Sequence, residues 1–167
     1  WTTAGTLMGM ASDEGPGMVR LTVDGAAVEV PDDGGTLLDV LRGHLGNLSV
    51  KDGCSPQGQC GCCTVLVDGQ PRVSCVTPAR RVDGRTVTTL EGLDPAELTA
   101  WTDAFCATGG SQCGFCTPGQ IMSTVALLKV NPKPSRDEAR QALSGNLCRC
   151  GAYDHYLNGV MRAAGEV

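Results

Sequence analysis

The sequence predicts an α+β fold in which a small β-rich region is followed by a region of helices. In the first half, hydrophobic residues alternate with polar ones, which is the period of half-buried strands. After about residue 93 they recur at helical spacing instead. Eight of the ten cysteines form two groups of four, one in each half. The 167 residues are therefore expected to comprise a flexible leader, 1–17, and two small domains, 18–93 and 94–167.

Short strands and tight turns account for most of the first half. Asp24-Gly25 and Asp68-Gly69 are dipeptides typical of hairpin turns, and each directly follows a valine at the end of a predicted strand. Thr36 can cap a helix whose apolar face would consist of leucines. The predicted elements are strands at 19–23 and 27–30, a helix carrying Leu37, Leu38, Leu41 and Leu45, a strand at 64–67, one through Val73 to Cys75, and one at 87–90.

Four helices are predicted in the second half. Asp94-Pro95 is a helix start, and Ser135 with Glu138 three residues later forms a capping box. The expected helices carry Leu98, Trp101 and Phe105; Ile121, Met122, Val125 and Leu128; the segment after Ser135; and the segment from about Asp154 to Ala164.

Composition excludes several classes of protein. The net charge is −5 and the basic residues are spread along the chain, which disfavours nucleic-acid binding. No apolar run reaches the length of a membrane span, and the start lacks the basic region of a secretory signal, so a cytoplasmic location is expected. A secreted disulfide scaffold would be shorter, and the crowded cysteines at 60, 62 and 63 are awkward for disulfides.

The first quartet is Cys54-x5-Cys60-x2-Cys63-x11-Cys75. Four thiolates are the ligand set of a 2Fe–2S cluster, and this spacing is close to the x4, x2 and distant fourth cysteine of plant-type ferredoxins. Glycines between the ligands would let backbone N–H groups turn towards the sulfurs. The first quartet therefore predicts a 2Fe–2S site.

The second quartet is Cys113-x2-Cys116-x31-Cys148-x1-Cys150. Its first pair precedes a helix start, where the positive end of the helix dipole favours an anionic thiolate cluster. A single residue between two ligands is unusual for a zinc ribbon, which prefers two to four. A second 2Fe–2S cluster is thus predicted, with zinc at both sites as the alternative.

The two remaining cysteines and both histidines are not expected to be ligands. The x2 spacing favours Cys63 over Cys62, which would point to the opposite side of the backbone. Cys106 is expected to pack beside Phe105 as a small hydrophobic residue. His44 and His155 are expected to be surface or packing residues, and no catalytic or nucleotide-binding motif is present.

Three motifs resemble the iron–sulfur subunit of the molybdenum hydroxylases, the family of xanthine dehydrogenase, aldehyde oxidoreductase and carbon monoxide dehydrogenase. These are Gly53-Cys54 with GQCGCCTV at 58–65, QCGFCTPG at 112–119, and GNLCRC at 145–150. The chain departs from the family at three places. Five residues separate Cys54 from Cys60, where the family usually has four, and Cys62 stands where a small residue is usual. Gly151-Ala152-Tyr153 replaces the commoner Thr-Gly-Tyr.

The resemblance implies a plant-ferredoxin-like β-grasp domain followed by a four-helix domain, each with one 2Fe–2S cluster. It implies that electrons arrive from a molybdopterin site in a large subunit, cross the Cys113 cluster and then the Cys54 cluster, and pass to FAD in a medium subunit. Gln112 would lie near the pterin, and a dimer of heterotrimers is expected. The alternatives are a stand-alone two-cluster ferredoxin and a zinc-stabilised interaction module.

Overall fold

A computed structural model describes residues 17–165 of the chain. Within them, five strands form one mixed sheet in the order β2-β1-β5-β3-β4. The strands are β1 (Met18–Val23), β2 (Ala26–Pro31), β3 (Thr64–Val67), β4 (Gln70–Val73) and β5 (Thr86–Thr88). The predicted leader lies outside the described residues except for Gly17.

Both predicted hairpins are confirmed. β1 pairs antiparallel with β2 across Asp24-Gly25, and β3 pairs antiparallel with β4 across Asp68-Gly69. All four turn residues have positive φ, from 48° to 83°, as expected of the turns that suit two-residue hairpins. β5 joins the two hairpins by pairing parallel with β1 and antiparallel with β3. The two hairpins thus become one sheet.

One helix lies within the β-rich region and four follow residue 94, so the predicted α+β class is confirmed. The first is α1 (Leu37–Asp39), which continues as a π-helical turn over Val40–His44. The later helices are α2 (Pro95–Ala107), α3 (Thr117–Val130), α4 (Arg136–Ala142) and α5 (Tyr153–Ala163). None of the helices found in residues 17–165 is long and apolar enough to cross a membrane.

Two local predictions are wrong. The strand expected through Val73 to Cys75 ends at Val73, because Ser74 donates from its N–H and its hydroxyl to the Cys63 carbonyl and starts a 3₁₀ turn. Leu45 was expected on the buried face of α1 but is exposed. The π-helical turn widens the helix there, so that the Leu45 N–H bonds to the Val40 carbonyl and the four-residue spacing is lost.

Strand β3 separates two hydrophobic cores. Val65 and Val67 face the core between the sheet and α1, whereas Leu66 faces the core of the helices. Helix α3 packs against this second face, so β3 is buried on both sides. Because successive residues of a strand point to opposite faces, the cysteines just before β3 are also divided between the two cores.

The start of α1 is capped by Thr36, as the sequence predicts, and the structure adds a reciprocal bond that makes this cap a capping box. The Thr36 hydroxyl accepts from the Asp39 N–H, and the Asp39 carboxylate accepts from the Thr36 N–H at 2.8 Å. That N–H bond holds the pKa of Asp39 below its usual range. A lowered carboxyl pKa stabilises the fold above about pH 4, and this contribution is lost as the pH falls through the lowered value.

We expect Thr36→Ala to lower the free energy of unfolding at pH 7 by about 1 kcal/mol, because the cap bond is lost. Urea unfolding followed by circular dichroism measures the change. Thr36→Ser is the control, since it keeps the hydroxyl and should retain most of the stability. Equal losses in the two variants would contradict a role for the cap bond.

Candidate metal centres

The first quartet is assembled from one loop and one turn. Cys54, Cys60 and Cys63 lie on the loop between α1 and β3, and Cys75 lies on the 3₁₀ turn after β4. Ser74 bonds to the Cys63 carbonyl, which places Cys75 beside that loop. Cys54 is partly buried and the other three are buried. The residues that the sequence predicts as ligands are therefore brought together here.

The four sulfurs of this quartet interact in two pairs. Cys60 interacts with Cys54, and Cys75 interacts with Cys63. Burial raises the pKa of Cys75, and the nearby Cys63 and Cys54 sulfurs add to this effect, so the two pairs are neighbours. In a 2Fe–2S cluster each iron takes two protein ligands, and two adjacent thiol pairs match that division.

Backbone N–H groups converge on the first quartet, as the glycine-rich loop predicts. Hydrogen bonds from the N–H groups of Gln59, Gln57 and Cys60 lower the pKa of Cys54 to about 6, against the opposing effect of partial burial. The N–H of Gly58, which has a φ of 66°, points to Cys75. These donors stabilise negative charge on the sulfurs and would do the same for a bound anionic cluster.

The second quartet joins the start of α3 to the loop before α5. Cys116 is the N-cap residue of α3, and its sulfur interacts with Cys148. Cys150 interacts in the same way with Cys113, and the Phe115 N–H lowers the pKa of Cys113. The Cys148 N–H in turn bonds to the Tyr153 hydroxyl at 3.1 Å. Here too the four predicted residues form two pairs.

Burial differs between the two pairs of the second quartet. Cys116 and Cys148 are buried, whereas Cys113 and Cys150 are exposed. The first quartet is more buried at Cys60, Cys63 and Cys75, although residues 55–59 of its own loop are exposed.

The arrangement fits 2Fe–2S clusters by the chemistry of its donors and by the space around them. Burial raises the pKa of Cys75 and of Cys116 to about 12, so loading either site must displace protons. A Cβ on Gly53 would lie 2.9 Å from the Cys60 Sγ, and the missing side chain leaves room beside this sulfur. No three His, Cys, Asp or Glu side chains of residues 17–165 converge as they would around a single metal ion.

The two quartets open into one cavity of about 570 Å³. Its walls include sulfur-bearing residues of both quartets and the exposed aromatic ring of Phe115, which lies beside Gly53. The cysteines that line it are Cys54, Cys60, Cys62, Cys113, Cys116 and Cys148. The two candidate sites are therefore adjacent.

Close backbone contacts hold the sites against each other. The Leu147 N–H bonds to the Cys60 carbonyl at 2.9 Å, and the Asn146 amide bonds to the Gly61 carbonyl at 3.0 Å. A Cβ on Gly119, in the first turn of α3, would lie 2.2 Å from the Gly61 oxygen. Only glycine permits this approach, so the first cysteine loop rests directly on the helix start that carries Cys116.

Cys62 and Cys106 differ from one another in environment. Cys62 is buried in the core of the helices, with its N–H and thiol directed at Cys60, and burial raises its pKa to about 12. The adjacent Cys63 belongs to the core of the sheet. Cys106 was expected to pack with Phe105 but is exposed, because it lies one residue further round α2 than the buried stripe.

The other polar residues singled out in the sequence lie at the surface. Gln112 is exposed directly before Cys113. His44 is exposed, and His155 is exposed with its Nδ1 at 2.9 Å from the Thr108 carbonyl. Sequence reasoning missed Gln120, whose fully buried amide has no hydrogen-bond partner among the described residues. Its place within an apolar helical stretch was the signal that could have singled it out.

Comparison with known proteins assigns each half of the chain to a domain family. Residues 21–89 match a 2Fe–2S iron–sulfur cluster binding domain, and residues 89–161 match a second 2Fe–2S binding domain. Isoquinoline 1-oxidoreductase subunit alpha of Brevundimonas diminuta is 44% identical over 89% of this chain and 99% of its own length. A probable xanthine dehydrogenase subunit of Bacillus subtilis is 42% identical, over 87% of this chain and 82% of its own length.

Solved structures give the same result. Quinoline 2-oxidoreductase from Pseudomonas putida 86 superposes with a TM-score of 0.82 at 39% identity, over 90% of this chain and 94% of the matched one. The aldehyde oxidoreductase of Desulfovibrio gigas also superposes with a TM-score of 0.82, at 42% identity. In that protein the match spans 17% of a much longer chain.

Proposed function

Since the chain belongs to the iron–sulfur small subunits of the xanthine dehydrogenase and aldehyde oxidoreductase family of molybdenum hydroxylases, we propose that it conducts single electrons through two 2Fe–2S clusters. It is the iron–sulfur subunit of an oxidoreductase, and we propose that the substrate reacts in a partner subunit. The observation that supports this role best is the assembly of two groups of four cysteines, which together contribute five residues, Cys54, Cys60, Cys113, Cys116 and Cys148, to the lining of one shared cavity.

The ligand assignment follows from these pairs. We propose that one iron of the first cluster is held by Cys54 and Cys60 and the other by Cys63 and Cys75. For the second cluster the pairs would be Cys113 with Cys150 and Cys116 with Cys148. The sulfur contacts within each pair support this division, since each iron of a 2Fe–2S centre takes two protein ligands.

The residues around the sulfurs contribute to the proposed function in different ways. When bound, each 2Fe–2S cluster accepts and releases one electron at a time. The N–H groups of Gln57, Gln59 and Cys60 favour negative charge on Cys54, which stabilises a more anionic state of the first site. Among the cysteines that line the shared cavity, Cys60, Cys116 and Cys148 are buried. The bonds from Leu147 and Asn146 to the Cys60-Gly61 backbone keep the two sites at a fixed separation.

The partners are proposed from the family. A large subunit would carry molybdopterin, and a medium subunit would carry FAD, with Gln112 near the pterin and a dimer of heterotrimers as the assembly. Electrons would then enter the chain at the exposed Cys113 and Cys150. We propose an N-heterocycle or an aldehyde as the substrate of the complex, because the relatives' names specify these classes. The β-grasp and four-helix domains, 18–93 and 94–167, and a cytoplasmic location belong to the same proposal.

The first test of this function is the metal content of the purified chain. We expect about four iron atoms and about four acid-labile sulfides per chain, since each cluster contributes two of each. After reduction with dithionite, electron paramagnetic resonance should give two distinct signals, because the two quartets have different surroundings. A colourless protein with zinc at both sites would overturn the proposal. Copurification with molybdenum-containing and flavin-containing chains supports the complex, whereas their absence from native preparations favours a stand-alone ferredoxin.

A further inference from the structure

A basic groove lies at the edge of the sheet beside β4. It encloses about 540 Å³ and is lined by three arginines from different elements. Arg72 comes from β4, Arg81 from the 3₁₀ turn Ala79–Val82, and Arg85 from the segment before β5. Three separate segments of the chain thus place guanidinium groups around one space, whose volume is in the range of ligand-binding clefts.

The groove has a charge opposite to that of the chain as a whole. The net charge is −5, yet residues 69–82 contain three arginines and no acidic residue. The carboxylate in the lining, Asp68, is paired with Arg85 at 2.7 Å and also accepts from the Thr86 N–H. Within residues 17–165 neither Arg72 nor Arg81 forms an ion pair. Two guanidinium groups are therefore available to an anion from outside, and their planar shape suits carboxylates.

The groove adjoins the first cysteine quartet. Val76 lines the groove, directly follows Cys75, and is 53% exposed. A Cβ on Gly58 would lie 3.1 Å from both methyl carbons of Val76, so this side chain packs on the loop that surrounds Cys54. A molecule bound by the arginines would therefore contact a side chain that packs on the Cys54 loop.

We propose that this groove docks an acidic segment of the protein that accepts electrons from the Cys54 quartet. The inference rests on the proposed electron-transfer function, because an acceptor is required only if the chain conducts electrons. Complementary charge raises the rate of encounter and orients the partner. An acidic segment on Arg72 and Arg81 would bring the acceptor against Val76 and the Cys54 loop, whereas the other acidic surfaces of the chain would repel it.

The test uses two small oxidants of opposite charge with the dithionite-reduced, cluster-loaded full chain. Hexacyanoferrate(III) is an anion that takes one electron from a reduced cluster and becomes hexacyanoferrate(II). Tris(1,10-phenanthroline)cobalt(III) is a cation that takes one electron in the same way. Stopped-flow absorbance gives both rates. At low ionic strength, Arg72→Glu/Arg81→Glu should slow oxidation by the anion about tenfold and should accelerate oxidation by the cation, with both effects fading in high salt.

Lys133→Glu/Arg162→Glu is the matched control. It makes the same change in net charge at two exposed residues of the helical half. In this control variant, the rate of oxidation by hexacyanoferrate(III) should change much less than in the groove variant. Poly-L-glutamate, a mimic of an acidic segment, should inhibit oxidation by the anion in the wild type and in the control but not in the groove variant. The milder Arg81→Gln should have an intermediate effect.

The possible results distinguish failure of the docking proposal from failure of the proposed electron-transfer function. Equal changes of the oxidation rates in the groove variant and the control, with cluster signals intact, would overturn the docking proposal. The proposed electron-transfer function would not be affected by that result. Inhibition by poly-L-glutamate that persists in the groove variant would also overturn it. Absence of cluster signals from the wild type would overturn the proposed function, and the docking proposal with it.

Discussion

Replacing Cys116 by alanine is expected to halve the iron content, from about four atoms per chain to about two, and to remove one of the two paramagnetic signals. Cys116 is buried at the start of α3, and its thiol contacts Cys148. Without it, one iron of the proposed second cluster would have a single thiolate from its pair of cysteines. If the proposed route is correct, electron transfer from the large subunit to the acceptor should stop, because the second cluster is lost.

Two other cysteines provide the controls. Cys106→Ala makes the same chemical change on an exposed position of α2 and should keep full iron content and both signals. Cys62→Ala should also keep both clusters, since Cys62 lies in the core of the helices whereas its neighbour Cys63 pairs with Cys75. Iron and sulfide assays with electron paramagnetic resonance of the three variants measure the difference. Full iron in Cys116→Ala, or loss of iron from Cys62→Ala, would require a different ligand set.

Local features of the fold could be predicted from the sequence because their signals lie within a few residues. The Asp24-Gly25 and Asp68-Gly69 turns set both hairpins, and Thr36 and Ser135 cap their helices as expected. The parallel pairing of β1 with β5 could not be predicted, because it joins segments more than sixty residues apart. The π-helical turn that exposes Leu45 has no local signal either.

The same contrast between local signals and long-range contacts applies to the candidate site. The cysteine spacings predict two groups of four, and the structure brings each group together. The spacing does not say which sulfurs pair, because the Cys63–Cys75 contact depends on the hydrogen bond that Ser74 makes to the Cys63 carbonyl. Nor does it reveal that the first loop rests on the start of α3, which depends on two glycines from different halves of the chain.

Gly119→Ala is expected to lower the free energy of unfolding by about 3 kcal/mol and to weaken retention of the second cluster. The added Cβ would lie 2.2 Å from the Gly61 oxygen and 3.0 Å from the Cys62 Cα. Both neighbours are backbone atoms, so no side chain can turn away to make room. Helix α3 must then shift, and Cys116 at its start moves with it. Urea unfolding, followed by circular dichroism and by the visible absorbance of the clusters, measures both effects.

Gly145→Ala is the matched control because its carbonyl faces Gly61 across the same contact. A Cβ on Gly145 meets no atom within 4 Å, so the stability should change by less than about 0.5 kcal/mol. If the two variants were equally stable, the contact between Gly61 and Gly119 would not determine how the halves pack. If only Gly119→Ala loses its second cluster, the separation of the two sites is set by backbone contact. The rate between the clusters would then depend on two glycines that bind no metal.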